Sequence, residues 1–288
     1  MGLYSRLRID FPPMGDGRLR NRSQAATFLC YHSVAGEGPK YLTVSPQLFE
    51  SHLDHFADRG LQTGDLGTLE TLAAGENVAP SVFLTFDDGF RDNYETVLPL
   101  LRERQMRAFV FVLPPLVDGG APLIWPEVAA DAERFATMRS VTWEMLEEMK
   151  EGGFEVGAHT LTHPHLPDLD DETIEQELAE SRRRVIARLG SCDTLAYPFG
   201  EWSPRVEAAA KRCGYRFAFS LPTDHGQRGA DVLTIPRLNI DYRDSGRRLA
   251  AKLSSPGRAF YLSEATKAPR RAVRGLRSLR SSPLASGR

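Results

Sequence analysis

The stretch Ser81-Val82-Phe83-Leu84-Thr85-Phe86-Asp87-Asp88-Gly89-Phe90 is an apolar run that stops at two adjacent carboxylates and a glycine. An unbroken run of β-branched and aromatic residues suits a strand buried on both faces, as in a parallel sheet covered by helices. Gly89 ends it. Two neighbouring aspartates repel each other and lose hydration near a sheet end, so both stay ionised there only if a cation or strong donors face them. The competing reading is a surface turn, where Asp-Gly is common. A second stretch tells against the turn: after the strand-like Phe154-Glu155-Val156 comes Gly157-Ala158-His159-Thr160-Leu161-Thr162-His163-Pro164-His165. Two histidines four apart plus a carboxylate make a metal site, and a catalytic zinc takes three such ligands while keeping one position open. Asp88, His159 and His163 would suffice, which leaves Asp87 free as a base. Seven histidines in one chain cluster somewhere by chance, but two strand-end clusters of this kind are far less expected.

Outward from these stretches, strand and helix alternate. The run Thr27 to Val34 reads as a first strand and ends in another candidate site residue, His32. Ser45-Pro46 opens a helix to residue 59, with Leu48, Phe49, His52, Leu53 and Phe56 at helical spacing. Helices are expected over 68–74, 93–104, 142–151, 171–189 and 204–213, and strands over 108–113, 194–197, 217–220 and 232–240. Such alternation implies a parallel sheet. Residues 114–139, rich in Pro, Gly and Ala, read as a long loop with a short helix above the cleft. Arg182-Arg183-Arg184 reads as a solvated helix face.

With 288 residues, 41% hydrophobic and 26% charged, the chain suits one enzyme domain with a large core and no membrane-spanning run. A net charge of −2 argues against nucleic acid as partner. Cys30, Cys192 and Cys213 lack metal-like spacing and read as thiols in a reducing compartment. Residues 1–24 read as an irregular arm without a signal-length apolar stretch, which favours a cytoplasmic location over a mis-assigned start or an unusual export route. Residues 263–288 carry Lys267, Arg270, Arg271, Arg274, Arg277, Arg280 and Arg288 without an acidic residue after Glu264, and read as a disordered basic tail. Weak contact with an anionic membrane surface is the functional reading of that tail.

Thr85-Phe86-Asp87-Asp88-Gly89 and His159-Thr160-Leu161-Thr162-His163 resemble the first two motifs of the NodB-like polysaccharide deacetylases, carbohydrate esterase family four. Tyr197-Pro198-Phe199-Gly200 resembles the third, and the likeness spans about residues 25 to 245 in motif order. It implies an α/β fold, a distorted (β/α) barrel of the NodB-homology type as a single catalytic domain over 25–262, and metal-assisted removal of N-acetyl groups from a glycan. The divalent metal is expected to be Zn²⁺, polarising the acetyl carbonyl and activating water. Asp87 would take the water's proton. The resemblance nominates the Phe199 N–H, beside Tyr197 and Pro198, as oxyanion donor.

The chain departs from the commonest pattern twice. Many members carry Arg two residues before the third-motif Pro, where this chain has Ala196. Arg237 in Ile235-Pro236-Arg237-Leu238 is the candidate replacement, its alternative a surface Arg on a strand end. No late Leu-x-His motif follows Arg237. His32, in Tyr31-His32, resembles an element of the branch acting on poly-N-acetylglucosamine-type polymers and is the general-acid candidate, a core histidine being the alternative and His225 or a metal-bound water the next acid. His165 is expected beside the site or on the surface, and Thr160 in support of the histidine loop. Trp143, Trp202 and Tyr94 are candidates to stack on sugar, with core packing favoured for Trp143. The alternative functions are a peptidoglycan deacetylase or O-acetyl esterase of the same fold, and a non-catalytic metal-containing carbohydrate-binding protein. Retention of Asp87 beside Asp88 argues against the last.

Overall fold

A computed structural model describes residues 26–79, 81–117, 138–222 and 231–262. The expected arm over 1–24, the basic tail over 263–288, His225 and most of the 114–139 insertion lie outside the described residues. Eleven strands are present among those described: β1 (Ala26–Tyr31), β2 (Ser33–Val34), β3 (Thr43–Val44), β4 (Gln62–Thr63), β5 (Ser81–Phe86), β6 (Ala108–Val112), β7 (Phe154–Ala158), β8 (Thr194–Ala196), β9 (Phe217–Ser220), β10 (Ile235–Pro236) and β11 (Leu238–Asn239). The main sheet runs β10-β9-β8-β7-β6-β5-β1-β11, with β4 added at the start of β5. Every one of these pairings is parallel. The two ends of that order are separated in sequence by Arg237 alone, so the sheet nearly closes into a barrel, and β2 and β3 form a small pair beside it. Among the described residues no helix is long and apolar enough to cross a membrane.

The stretch quoted first is β5, and all six of its residues are buried. The period-two alternation of a strand sends Phe83, Thr85 and then Asp87 to the barrel interior and Val82, Leu84 and Phe86 outward. On β1 it sends Phe28, Cys30 and then His32 inward. The inner rings touch across the barrel: Phe28 stacks on Phe83 with centroids 4.5 Å apart and lies 6.0 Å from Phe219 of β9. Phe219 in turn lies 5.3 Å from Phe111. A Cβ at Gly157 would overlap the Phe111 ring, which is why β7 carries glycine there. The outer face packs under helices, as where Tyr31 and Phe86 meet Phe49 of the helix Pro46–Asp58.

Two expectations are corrected. The single strand over 232–240 is two short strands with different partners. Pro236 of β10 lies beside Ser220 of β9, Arg237 donates its N–H to the Ser220 carbonyl at 3.0 Å, and Ile240 donates to Cys30 of β1 at 2.8 Å. One straight strand cannot bond both walls of the closing gap, and Pro236 has no N–H to continue a ladder. The helix over 93–104 opens with a π-turn, Asn93–Val97, before regular α-helix over Leu98–Glu103. Pro99 cannot donate to the preceding turn, and a wider turn accommodates the lost bond.

Candidate active site

Parallel strands bring their C-terminal ends to one rim of the barrel, where α/β enzymes place their chemistry. Here β1 delivers His32, β5 delivers Asp87 and Asp88, β7 delivers His159, β8 leads into Tyr197 to Gly200, and the β10–β11 seam delivers Arg237. Among the described residues five non-glycine residues have positive φ, and four lie on this rim: Asp88 (72°), Thr160 (67°), His163 (59°) and Phe199 (57°). Such backbone is costly and persists only where surrounding contacts over-determine it.

Arg237 is fully buried and grips Asp87 with both Nη atoms, at 2.6 Å to Oδ1 and 2.7 Å to Oδ2. Nη1 also donates to Thr85 Oγ1 at 2.9 Å, and that hydroxyl donates to the Leu29 carbonyl at 2.8 Å. The guanidinium carbon sits 5.7 Å from the Phe111 ring and 5.8 Å from that of Phe219. A buried cation is tolerated only with such compensation: a bidentate carboxylate, a hydroxyl and two ring faces. Burial opposes ionisation of Asp87, but the Arg237 charge overcomes it and holds the carboxyl well below the usual range. Arg237 is thus a buried partner of Asp87, and the surface-Arg alternative is excluded.

Asp88, His159 and His163 converge beside this pair. Asp88 Oδ1 lies 3.4 Å from His159 Nε2 and 3.7 Å from His163 Nε2, with all three side chains buried. Tetrahedral bonds of about 2.0–2.2 Å set neighbouring donors about 3.3–3.6 Å apart, so this spacing fits one small cation. His159 Nδ1 donates to the Ala196 carbonyl at 2.8 Å, so Nε2 is the ring atom that faces Asp88. Burial opposes a charge on this ring, but the Asp87 and Asp88 carboxylates raise its pKa, so a cation bound here would displace a proton. Asp88 Oδ1 is buried without a hydrogen-bond partner, the orphan that a cation would satisfy. Burial, reinforced by His159, pushes His163 down to about 3 and so keeps it neutral, as a ligand must be. A second cluster, Cys30, His32 and Asp87, has its donor atoms within 4.8 Å of one another. It does not suit a cation, because Arg237 holds both Asp87 oxygens and burial pushes the Cys30 thiol far up.

His32 is half-buried, and its ring reaches the Asp87 carboxylate's surroundings. Burial lowers its pKa against the pull of Asp88 and Asp87. Its backbone is pinned by Asn93, whose Nδ2 donates to the His32 carbonyl at 2.8 Å. Asp92 accepts from Ser33 Oγ at 2.7 Å and Val34 N at 2.9 Å. Tyr197 is fully buried and donates its hydroxyl to the Leu233 carbonyl at 2.9 Å, so it reaches the rim through its backbone. Pro198 opens the turn in which Gly200 N–H and Glu201 N–H bond the Tyr197 and Pro198 carbonyls. Phe199 N–H takes part in neither bond. The Phe199 ring is stacked on His165 with centroids 4.0 Å apart, and His165 Nδ1 pairs with buried Glu201 at 2.8 Å. His165 thus links the histidine loop to the turn. Trp143 and Trp202 are buried in the core, and Tyr94 donates to Glu148 at 2.8 Å.

Glu177, which the sequence reading passed over, braces the histidine loop. Its buried carboxylate accepts from Leu161 N at 2.8 Å, Thr162 N at 3.1 Å and Thr162 Oγ1 at 2.7 Å. Within the strongly charged helix Asp171–Leu189 it shares a face with buried Ile174, Leu178 and Ser181; a glutamate on the apolar stripe was the available signal. Glu177→Ala is expected to weaken divalent-metal affinity about 10- to 100-fold with a smaller loss of thermal stability. Metal titration beside a melting curve checks this, and unchanged affinity would leave Glu177 a purely structural group.

The sequence model of the family described as Polysaccharide deacetylase matches residues 74–218. The chain belongs to the polysaccharide deacetylase family. By family the protein is a hydrolase of carbon–nitrogen bonds other than peptide bonds. The matched segment of this deacetylase-family chain holds Asp87, Asp88, His159, His163 and Phe199, while His32 precedes it and Arg237 follows it. YxkH of Bacillus subtilis, whose name places it among the polysaccharide deacetylases, is 25% identical over 232 residues, 79% of this chain and 75% of that protein. The poly-beta-1,6-N-acetyl-D-glucosamine N-deacetylase of Staphylococcus aureus is 24% identical over 234 residues, 77% of this chain and 76% of that one. Among solved structures, the Streptococcus pyogenes deacetylase PplD in complex with acetate superposes with a TM-score of 0.65 at 22% identity, covering 80% of this chain and 98% of that one. That likeness confirms the barrel fold.

Proposed function

We propose that the protein removes N-acetyl groups from N-acetylated sugar units of a glycan, using a divalent cation held by Asp88, His159 and His163. One observation carries the reading: three buried donors converge with Asp88 Oδ1 left without a partner, directly beside a carboxylate locked on a buried arginine. The names of relatives support the substrate class, one of them being a poly-N-acetylglucosamine deacetylase.

Asp88, His159 and His163 would hold a divalent cation, expected to be Zn²⁺, which would supply Lewis-acid polarisation of the acetyl carbonyl and ease deprotonation of water. The residues of the chain do the rest. Asp87 takes the proton of the attacking water, with Arg237 fixing the carboxylate's orientation and keeping it ionised. Phe199 N–H, turned by a left-handed residue and backed by His165, donates to the oxyanion as the carbonyl carbon becomes tetrahedral. His32 gives a proton to the departing amine as the C–N bond breaks, yielding acetate and a free amino sugar.

The test is acetate release from N-acetylglucosamine oligomers by metal-stripped protein, with and without added Zn²⁺, run beside an O-acetylated sugar. Release is expected only with metal, at one ion per chain, and His32→Ala is expected to lower kcat about 10²-fold or more. Preferential release from the O-acetyl substrate would make the protein an esterase of the same fold. A tightly bound ion with no release from either substrate would favour the binding-protein reading.

A further inference from the structure

Among the described residues three large hydrophobic side chains stand exposed: Tyr41 (49%), Tyr242 (49%) and Phe260 (57%). Phe260 belongs to the far end of the barrel, since its helix Ser255–Tyr261 bonds the start of β1 through Arg258 and the Ala26 carbonyl. The two tyrosines belong to the active rim. Tyr41 precedes Leu42, whose carbonyl accepts from the N–H of Ser33, the neighbour of His32, at 3.1 Å. Tyr242 lies two residues past Ile240, which bonds the carbonyl of Cys30. Both therefore project from segments tied to the end of β1, on the His32 side of the mouth. The two segments lie side by side, since Lys40, the neighbour of Tyr41 in the chain, places its Nζ 5.6 Å from the Tyr242 ring centroid.

Neither tyrosine is on a slack loop. Leu42 N–H and Thr43 N–H both bond the Pro39 carbonyl at 2.9 Å, and Leu42 packs on Phe90 and Met138. The turn carrying Tyr242 is closed by Asp244, which is fully buried, accepts from Asp241 N at 2.8 Å and pairs with Lys252 at 2.7 Å. Arg243 is held against Asp241 and flanks the Tyr242 ring at 5.7 Å. A buried carboxylate and a buried lysine thus rigidify a turn that exposes an aromatic ring. Rigid aromatics with a polar tip bind well at low entropic cost, and exposed apolar surface continuous with a reaction site marks a binding surface.

We propose that Tyr41 and Tyr242, with Lys40, form a ledge that binds the glycan chain beyond the unit being deacetylated, the apolar C–H faces of the sugar rings stacking on the tyrosines and Lys40 meeting hydroxyl or carbonyl oxygens. The ledge makes the protein an enzyme of polymers and long oligomers, with chain length read on the His32 side. This rests on the reading that the Asp88, His159 and His163 rim deacetylates a glycan.

The experiment compares wild type with Tyr41→Ala, Tyr242→Ala and the double variant on the dimer and the hexamer of β-linked N-acetylglucosamine. In the wild type KM is expected to be about tenfold lower for the hexamer than for the dimer, as about 1.4 kcal/mol of stacking would give. The double variant is expected to lose that preference through KM, with metal content and melting temperature kept. A retained preference would overturn the ledge. Hexamer binding is measured in parallel by calorimetry, where a roughly tenfold weakening in the double variant is expected. Equal binding by both proteins, or no binding by the wild type, would equally overturn it. Because binding needs no turnover, tyrosine-dependent binding without acetate release would sink the deacetylase reading and leave the ledge standing.

Discussion

Replacing Asp87 by Asn is expected to lower kcat by about 10²- to 10⁴-fold, the range that a positioned general base contributes, while one equivalent of metal stays bound through Asp88, His159 and His163. The geometry adds a cost beyond the chemistry. Both Asp87 oxygens are taken by Arg237, at 2.6 and 2.7 Å, so an amide there faces a guanidinium with its NH₂ and leaves a fully buried cation without its counter-charge. The variant is therefore expected to melt lower than the wild type, and turnover has to be compared at a temperature where both are folded. Turnover retained within a few-fold at that temperature would refute a base role for Asp87. Metal lost along with turnover would mean that the carboxylate serves the cation site instead.

Removing the other partner tests the same pair from the stability side. Arg237→Ala leaves the buried Asp87 carboxylate without its counter-charge, with Cys30 Sγ at 3.4 Å, and breaking such a pair typically costs about 3–5 kcal/mol. For a domain of this size that corresponds to a fall in melting temperature of roughly 10 °C. Arg237→Lys is expected to recover only part of it, because an ammonium cannot make the two parallel bonds of the guanidinium fork. The decisive measurement is a double-mutant cycle. Asp87→Asn combined with Arg237→Met removes both charges at once, so its loss should be clearly smaller than the sum of Asp87→Asn and Arg237→Met. Additive losses would show that the two residues do not stabilise each other.

How much of this was legible beforehand follows from where the information lies. Asp88, His159 and His163 could be named from short stretches, because a strand ending in a carboxylate and two histidines four apart are local patterns with a chemical meaning. The turn that presents His163 was not legible. Thr160 and His163 sit in left-handed backbone, held there by Glu177, a residue of a helix that reads in one dimension as charged and solvated. Arg237 could be nominated but not placed, since its partner lies 150 positions away and a strand-end arginine has no local mark of burial. His32 was in the same position: its closeness to Asp87 depends on β1 pairing with β5 from Ala26↔Ser81 to Tyr31↔Phe86. Phe199 came from a motif. That His165 stacks on it and reaches Glu201 follows from two loops meeting at the rim.

By itself the sequence determined the alternation of strand and helix, the parallel sheet, the strand ends that carry acid and histidine, and the residues able to hold a cation. These depend on hydrophobic period and near-neighbour spacing, which a linear chain displays directly. Only the tertiary structure decided that residues 232–240 split at Arg237 where the barrel nearly closes, that the split buries a guanidinium against Asp87 and two phenylalanine rings, and that the segments of Tyr41 and Tyr242 come together at the end of β1. The reason is physical: which wall a short strand joins, and which charges it must then compensate in the interior, is settled by pairing partners far apart in the chain and by the cost of burying a charge unpaired.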